Sequence, residues 1–324
     1  MRELELIQDL DALLAGLAPR VVIGVGDDAA VVRTGGAYAV TSVDTMLDGV
    51  HFRCGQLSWA EIGHRALAGA LSDLAAMGAG GGEIYLALGL PEGTVRSDCV
   101  ELIGAAQDLA IRNGMTIAGG DITRAPALSV SFTVIGYVDD PGCLAGRAGA
   151  RPGDLVGVTG PLGGPAAGLA VLEGRVRLPE RVAEALRRSY ARPEPRLAAG
   201  RALAEAGATA MIDLSDGLAT DAGHIGRASR VCLELSLSRL PLADGLEAAA
   251  GQLGRPPAEL AAIGGEDYEL CACVPPSARA VLEAAVASAD PSVRMTWIGR
   301  VIQGSPGASF RDAARRLEGY EHVL

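Results

Sequence analysis

The sequence predicts an α/β protein with mixed sheets, built as two domains. Three observations support this. The chain has 324 residues, long for one domain, and its 49% hydrophobic content can fill a sizeable core. Short strand-like runs alternate with segments of helical period in both halves of the chain. Between them, "DDPG" and "ARPGD" (Asp139 to Gly153) are rich in turn residues and flank little periodic structure. The expected domains are residues 1–140 and 141–324.

In order, Leu4, Ile7, Leu10, Leu14 and Leu17 recur at helical spacing and predict an opening amphipathic helix. Strand-like runs follow at Val21–Val25, Ala30–Arg33 and Tyr38–Val43, then a loop through His51. Ser58 and Glu61 form a Ser-x-x-Glu capping pattern, so a helix starts there and runs to Gly78 through "HRALAGALSDLAAMG". Its Ala and Gly content lets another element approach closely. Ile84–Leu90 reads as a strand and Arg96–Arg112 as a helix, ended by Asn113-Gly114. "MTIAGGD" reads as a strand running into a glycine turn, and "LSVSFTVIGYV" alternates as a strand should.

The second half repeats the mixture. Leu155–Thr159 is a strand, followed by a glycine-rich stretch at Gly160–Gly168 and helices to Ala206. A strand at Met211–Leu214 enters "SDGLATDAGHIGRAS", a helix start with Asp216 as a candidate N-cap. Tyr268–Val274 and Val293–Ile302 are strands around a helix at Ala278–Ala287. The sheets are mixed, with no pure βαβ array.

Composition excludes several functions. Net charge is -11 and no Arg-rich block occurs, which argues against a nucleic-acid partner. All 28 basic residues are Arg, so neither a phosphate-binding Lys nor a Schiff-base Lys is available. The six cysteines match no zinc spacing and read as buried free thiols in a reducing compartment. Cys271 and Cys273 alternate in "YELCACV" and should share one face. The N-terminal segment is charged and unlike a signal peptide, and no apolar run approaches the ~20 residues of a membrane span. A soluble, cytoplasmic protein without membrane partners is expected.

Aspartates recur at the ends of apolar runs beside Gly or Ser: Asp27 and Asp28 in "GVGDD", Asp44 in "TSVDT", Asp121 in "AGGDIT", Asp213 and Asp216 in "IDLSDG". Each alone is an ordinary turn residue. Asp73 differs, because it interrupts a helix that is otherwise nearly uncharged and needs a partner if buried. Clustered carboxylates with few cations either bind metal or protonate. Oxygen-only donors, including the Ser42 and Ser215 hydroxyls, suit Mg²⁺, with Mn²⁺ as an alternative. Mg²⁺ commonly shares its shell with phosphates, so the pattern points to a polyphosphate substrate. "AGGD" and "VTGPLGGPAAG" could offer backbone N–H groups to it.

Together "GVGDDAAVV", "SVDTMLDGVHF", "ALAGALSDLAAMGA", "AGGDITR", "GRAGARPGD", "IDLSDGLATDAGHI", "GGEDYEL" and "GYEHVL" resemble the thiamine-monophosphate kinase family, in that family's order and over nearly the whole chain. That family shares a superfamily with aminoimidazole ribonucleotide synthetase and selenophosphate synthetase. The resemblance implies transfer of the ATP γ-phosphoryl group to thiamine monophosphate by direct in-line attack with Mg²⁺. It implies metal ligands at Asp27, Ser42, Asp44, Asp73, Asp121, Asp213 and Asp216. Nucleotide contacts are implied at Gly120, Asp121, Arg147 and Ser215, and substrate contacts at His51, Glu266 and Tyr320. Asp28 is read as shaping its turn or as supporting the ligands from behind. The family fold implies a homodimer through the N-terminal domain and a site in the cleft between domains. Two departures stand out: Val43 occupies a position that is often Thr, and Leu102–Gly104 lacks an aromatic. Selenophosphate synthetase fits poorly, since the first cysteine is Cys54. A non-catalytic binding protein fits poorly with the full Asp set.

Overall fold

A computed structural model describes residues 19–320; the predicted opening helix and the last four residues lie outside the described residues. The first half forms a six-stranded sheet from β1 (Val21–Ile23), β2 (Ala30–Arg33), β3 (Tyr38–Leu47), β4 (Gly80–Leu90), β5 (Met115–Arg124) and β6 (Ser129–Val138). Its order is β1-β2-β3-β6-β4-β5. All neighbours are antiparallel except β4 and β5. Helices α1 (Trp59–Ala76) and α2 (Arg96–Arg112) supply the connections. On β6 the alternation predicted from sequence places Val130, Phe132 and Val134 inward, all fully buried.

The second sheet has the order β12-β9-β11-β7-β10-β8. Its strands are β7 (Leu155–Thr159), β8 (Ala210–Asp213), β9 (Cys232–Leu235), β10 (Leu270–Val274), β11 (Met295–Ile302) and β12 (Gly307–Phe310). Only β12 and β9 pair in parallel. Around it lie α3 (Gly164–Leu172), α4 (Glu180–Ala191), α5 (Leu197–Glu205), α6 (Leu218–Ser229), α7 (Leu246–Gln252), α8 (Pro257–Ile263) and α9 (Arg279–Ala289). Both sheets are therefore mixed, as composition and pattern suggested.

Helix α1 is the seam. Its capping box is present: the Glu61 N–H donates to Ser58 Oγ and the Ser58 N–H donates to Glu61 Oε2. Fifteen of its residues are buried, so it is apolar nearly all round, the pattern of a helix enclosed by other elements. One side packs on β3 and β6, the other on α5 and β8. The first core accordingly continues across the seam to Tyr190, Leu203, Met211, Tyr268 and Leu270. At Gly63 a Cβ would stand 2.1 Å from the Leu102 carbonyl oxygen, so glycine is what lets α2 approach.

Three expectations need correction. "AGGD" is no turn: β5 runs unbroken through Gly119 and Gly120, and a Cβ on Gly120 would lie 1.9 Å from the Leu86 carbonyl oxygen. Gly120 thus serves strand approach, whereas a Cβ on Gly119 would make only ordinary contact with the Tyr85 ring at 3.8 Å. Within the glycine-rich stretch at 160–168, the Gly163 N–H is not open to a phosphate, because it donates to Asp267 Oδ1 at 2.8 Å. Of the six cysteines only Cys271 and Cys273 are buried, both in the second core; Cys54 and Cys143 lie exposed.

Candidate active site

The two halves enclose a cleft of about 440 Å³. Residues from β3 and the loop after it, from α1, from the β8–α6 turn and from the "GGEDYEL" segment line it. Of the predicted site residues, Asp44, His51, Asp73, Asp213, Ser215, Asp216, Glu266 and Tyr320 line this cleft.

At its acidic end, carboxylate oxygens of Asp28, Asp73 and Asp213 lie within 4.8 Å of one another. They come from the turn before β2, from α1 and from the end of β8. Burial and the like charges of its neighbours push the Asp28 carboxyl up to about 7, against the opposing pull of Arg147. Burial also raises Asp213 to about 6, and burial with the Asp213 and Asp28 charges raises Asp73 well above the ordinary carboxylate range. The Ser42 hydroxyl donates to Asp73 Oδ2.

Asp27 and Asp28 separate sharply. Gly26, at φ 110°, turns the chain so that Asp28 enters the trio. The Asp27 carboxylate instead accepts the backbone N–H groups of Asp28 and Arg147, at 3.0 and 3.1 Å. Arg147 reaches Asp28 Oδ1 through Nε at 3.0 Å and Nη2 at 2.5 Å. Asp28 Oδ2 is buried without a hydrogen-bond partner. Adjacent carboxylates carry no marker in sequence for which one turns inward, so Asp28 escaped the sequence reading.

This donor set fits a hard divalent cation. The donors are all oxygen, they converge from three elements, and one buried oxygen is orphaned. Burial dominates the shifts of all three carboxyls, with Arg147 opposing it at Asp28 and Asp213 and the like charges of neighbouring carboxylates adding to it.

Asp216 lines the cleft and is not the N-cap of α6, which is Gly217 without a side-chain cap; from inside the helix, Asp221 Oδ2 accepts the Asp216 and Gly217 N–H groups at 3.2 and 3.0 Å. Asp216, Asp221 and His224 form a second close group within 4.8 Å. Gly120 and Asp121 lie on the exposed strand β5 and do not line the cleft. Leu102 is fully buried against α1, so that segment of α2 is packing. Val43 is 66% exposed and lines the cleft beside Asp44.

The other end of the cleft is aromatic and polar. His51 Nδ1 accepts the Leu47 N–H at 3.1 Å, which leaves the ring proton on Nε2. Tyr190 Oη donates to the His51 carbonyl at 3.1 Å. Arg65, fully buried on α1, pairs with Glu266, donates to the Tyr190 carbonyl at 2.6 Å and stacks 3.9 Å above the Tyr190 ring. An Arg within the apolar run "GHRALAG" was a signal for such a role. Glu266 and Tyr268 adopt φ of 61° and 50°, unusual for residues with side chains. Their N–H groups donate to the Ser215 and Leu214 carbonyls, at 2.7 and 2.9 Å, which holds the segment against the "IDLSD" turn. Tyr320 is anchored by its backbone N–H to the Asp216 carbonyl at 2.9 Å.

Residues 26–138 match the family of AIR synthase related proteins, N-terminal domain, and residues 151–310 match its C-terminal domain. The thiamine-monophosphate kinase of Escherichia coli K12 is 38% identical over 309 residues, covering 93% of this chain and 92% of that protein. The enzyme of that name from Rhodopirellula baltica is 35% identical over 310 residues, covering 93% and 89%. The solved structure of AaThiL complexed with AMPPCP and TMP superposes with a TM-score of 0.87 at 28% identity, covering 99% of this chain and 97% of that one. Hydrogenase maturation protein HypE shares the fold at 18% identity, with a TM-score of 0.67. By its two matched domains and its full-length relatives, the chain belongs to the thiamine-monophosphate kinase family of AIR synthase related proteins.

Proposed function

We propose that this chain phosphorylates thiamine monophosphate to thiamine diphosphate at the expense of ATP, with Mg²⁺ held between the two halves. The observation that carries the reading is the convergence of Asp28, Asp73 and Asp213, the latter two lining a cleft that also holds His51 and Glu266. The relatives' activity and the AaThiL complex with AMPPCP and TMP supply the substrates.

The acceptor is a phosphate monoester with a second pKa of about 6, so it is largely ionised at neutral pH. Its oxygen attacks the γ-phosphorus in line, the bond from that phosphorus to the bridging oxygen breaks, and ADP leaves. No general base is needed and no phosphoenzyme forms. What opposes the step is repulsion between two anionic phosphates. Mg²⁺ (or Mn²⁺), when bound by Asp28, Asp73 and Asp213 with Asp44 and Asp216 nearby, supplies charge neutralisation between them. Ser42 orients Asp73. His51 can present its Nε2–H to an anionic group, and Glu266, steadied by Arg65, faces the cationic end of thiamine. Asp121 and Gly120 stay in the proposal as nucleotide contacts, although they lie outside the cleft.

A homodimer belongs to the same reading. The first sheet exposes Tyr85, Ile122 and Tyr137, at 42%, 59% and 41%, on strands that a second copy could cover. No helix among the described residues is long and apolar enough to cross a membrane. We place the chain in the cytoplasm, where its substrates are made.

A steady-state assay for thiamine diphosphate from thiamine monophosphate, ATP and Mg²⁺ tests the activity. Turnover of an aminoimidazole precursor with none of thiamine monophosphate would overturn it.

A further inference from the structure

The active cleft is lined by carboxylates: Asp44, Asp73, Asp213, Asp216 and Glu266. Among the described residues lining it, Arg53 is the only arginine. A surface of this sign favours a cation. Thiamine, with its thiazolium, is one; its phosphate ester adds a charge of about −1.5 to −2 to the same framework. Preference for the ester over the free alcohol therefore calls for a fixed positive group on the acceptor side.

Arg53 meets that requirement. Its backbone is pinned in the loop after β3. The Arg53 carbonyl accepts the Gln56 and Leu57 N–H groups at 2.8 and 3.3 Å, and the next N–H, of Cys54, donates to Asp48 Oδ1 at 3.0 Å. Its exposed side chain reaches the other half of the molecule, where Nη1 donates at 3.2 Å to Oε1 of Glu173, the residue that caps the end of α3. The pair lies at the His51 end of the cleft. Burial raises the Tyr190 phenol, and after Arg65 and Glu266 the charges that act on it are those of Glu173 and Arg53, with opposite signs. That phenol donates to the His51 carbonyl.

Arg53 can leave Glu173 without stranding it. The Glu173 carboxylate has a second partner, Arg175, whose Nε donates to Oε2 at 2.6 Å. An exposed ion pair is weak, whereas a guanidinium meets a phosphate through two parallel N–H···O bonds.

We propose that Arg53 selects the phosphorylated acceptor, exchanging Glu173 for the acceptor's own phosphate as thiamine monophosphate enters. His51, two residues earlier in the same loop, offers its Nε2–H to the same group. The inference rests on the phosphoryl-transfer reading and adds to it the residue that tells the ester from the free alcohol.

Steady-state kinetics at saturating ATP and Mg²⁺ tests it, with thiamine as a competitive inhibitor that lacks the phosphate. Arg53→Gln should raise KM for thiamine monophosphate about tenfold, the worth of one charge-assisted hydrogen bond. In the same variant kcat and the inhibition constant of thiamine should change by less than about twofold. Arg53→Lys keeps the charge without the fork and should raise that KM about threefold. Glu173→Gln frees Arg53 and should lower it about two- to fourfold, a gain absent when Arg53→Gln is also present. Three results would each overturn the inference and leave the activity standing: an unchanged KM in Arg53→Gln, a parallel rise in the thiamine inhibition constant, or a raised KM in Glu173→Gln, as a mere strap between the halves predicts. A wild-type chain that does not turn over thiamine monophosphate would overturn the activity itself, and this inference with it.

Discussion

Asp27 and Asp28 are adjacent, yet their carboxylates meet different partners. Asp28 is buried in the trio with one oxygen bare, whereas Asp27 is satisfied by two backbone N–H groups. Asp28→Asn should therefore lower kcat about a hundredfold or more, by removing a carboxylate from where phosphate charge is neutralised. Asp27→Asn keeps an acceptor for the same N–H groups and should cost less than about tenfold. Steady-state kinetics on both variants decides; the reverse order would favour the sequence expectation of Asp27 as ligand. Arg65 acts at the other end, through Glu266 and Tyr190. Arg65→Lys keeps the charge but loses the planar fork, so KM for thiamine monophosphate should rise about tenfold with a smaller change in kcat. Arg65→Met strands Glu266 and should also lower thermal stability, by about 3–5 kcal/mol if the pair behaves as a buried one. Equal effects of both variants on kcat alone would show that Arg65 does not act through substrate binding.

At the scale of elements, much of the fold was legible and the exceptions share a cause. Ser58 and Glu61 announced α1, Arg96–Arg112 was bounded correctly, and the alternation in "LSVSFTVIGYV" named the inward face of β6. Periodicity and caps are local, so sequence carries them. Glycine is ambiguous, because it serves equally for a turn, a phosphate loop or a close approach. Gly119 and Gly120 read as a turn, yet they continue a strand, and only β4 packed alongside explains the glycine at 120. Gly163 read as a phosphate loop, yet its N–H belongs to Asp267, some hundred positions away in sequence. Which of two neighbouring aspartates faces inward is likewise decided by tertiary contacts. The glycines of α1 allow a direct test. At Gly69 a Cβ would lie 2.7 Å from Asp44 Oδ2, a side chain that can move. At Gly63 it would meet the Leu102 carbonyl oxygen, which cannot move without shifting α2. Gly69→Ala should thus impair activity with little loss of stability. Gly63→Ala should cost about 1–3 kcal/mol of stability, as overpacking does, while the cleft keeps its affinity for AMPPCP. Melting curves and kinetics on the pair would reverse this order if α1 does not hold the cleft by close approach.

For the whole molecule, the buried carboxylates link folding to protons and to metal. Without metal, the folded chain holds Asp28 at about 7 and Asp213 at about 6, against 3.8 for the ordinary group. Between those values the folded state binds more protons than the unfolded one. Stability from these groups is therefore greatest at low pH and falls as pH rises through about 7. Asp73, Asp221 and Asp267 are shifted in the same direction. Half-buried His224 and buried His64 act oppositely: burial depresses His224 to about 3 and also lowers His64, so their contribution grows with pH up to 6.5. Above that point only the carboxylate trend remains, and metal-free melting temperature should decline from pH 6.5 to 8. At the proposed metal site Mg²⁺ would compete with protons for the same oxygens, so its stabilisation should be larger at pH 8 than at pH 6. Asp28→Asn should shrink both the metal-free slope and the Mg²⁺ effect, because it removes a buried carboxyl that titrates at about 7. Thermal melts across this range, with and without Mg²⁺, make the comparison. Parallel curves separated by a constant increment would mean that metal and protons do not share these carboxylates, and the trio would lose its place as the metal-binding centre between the two halves.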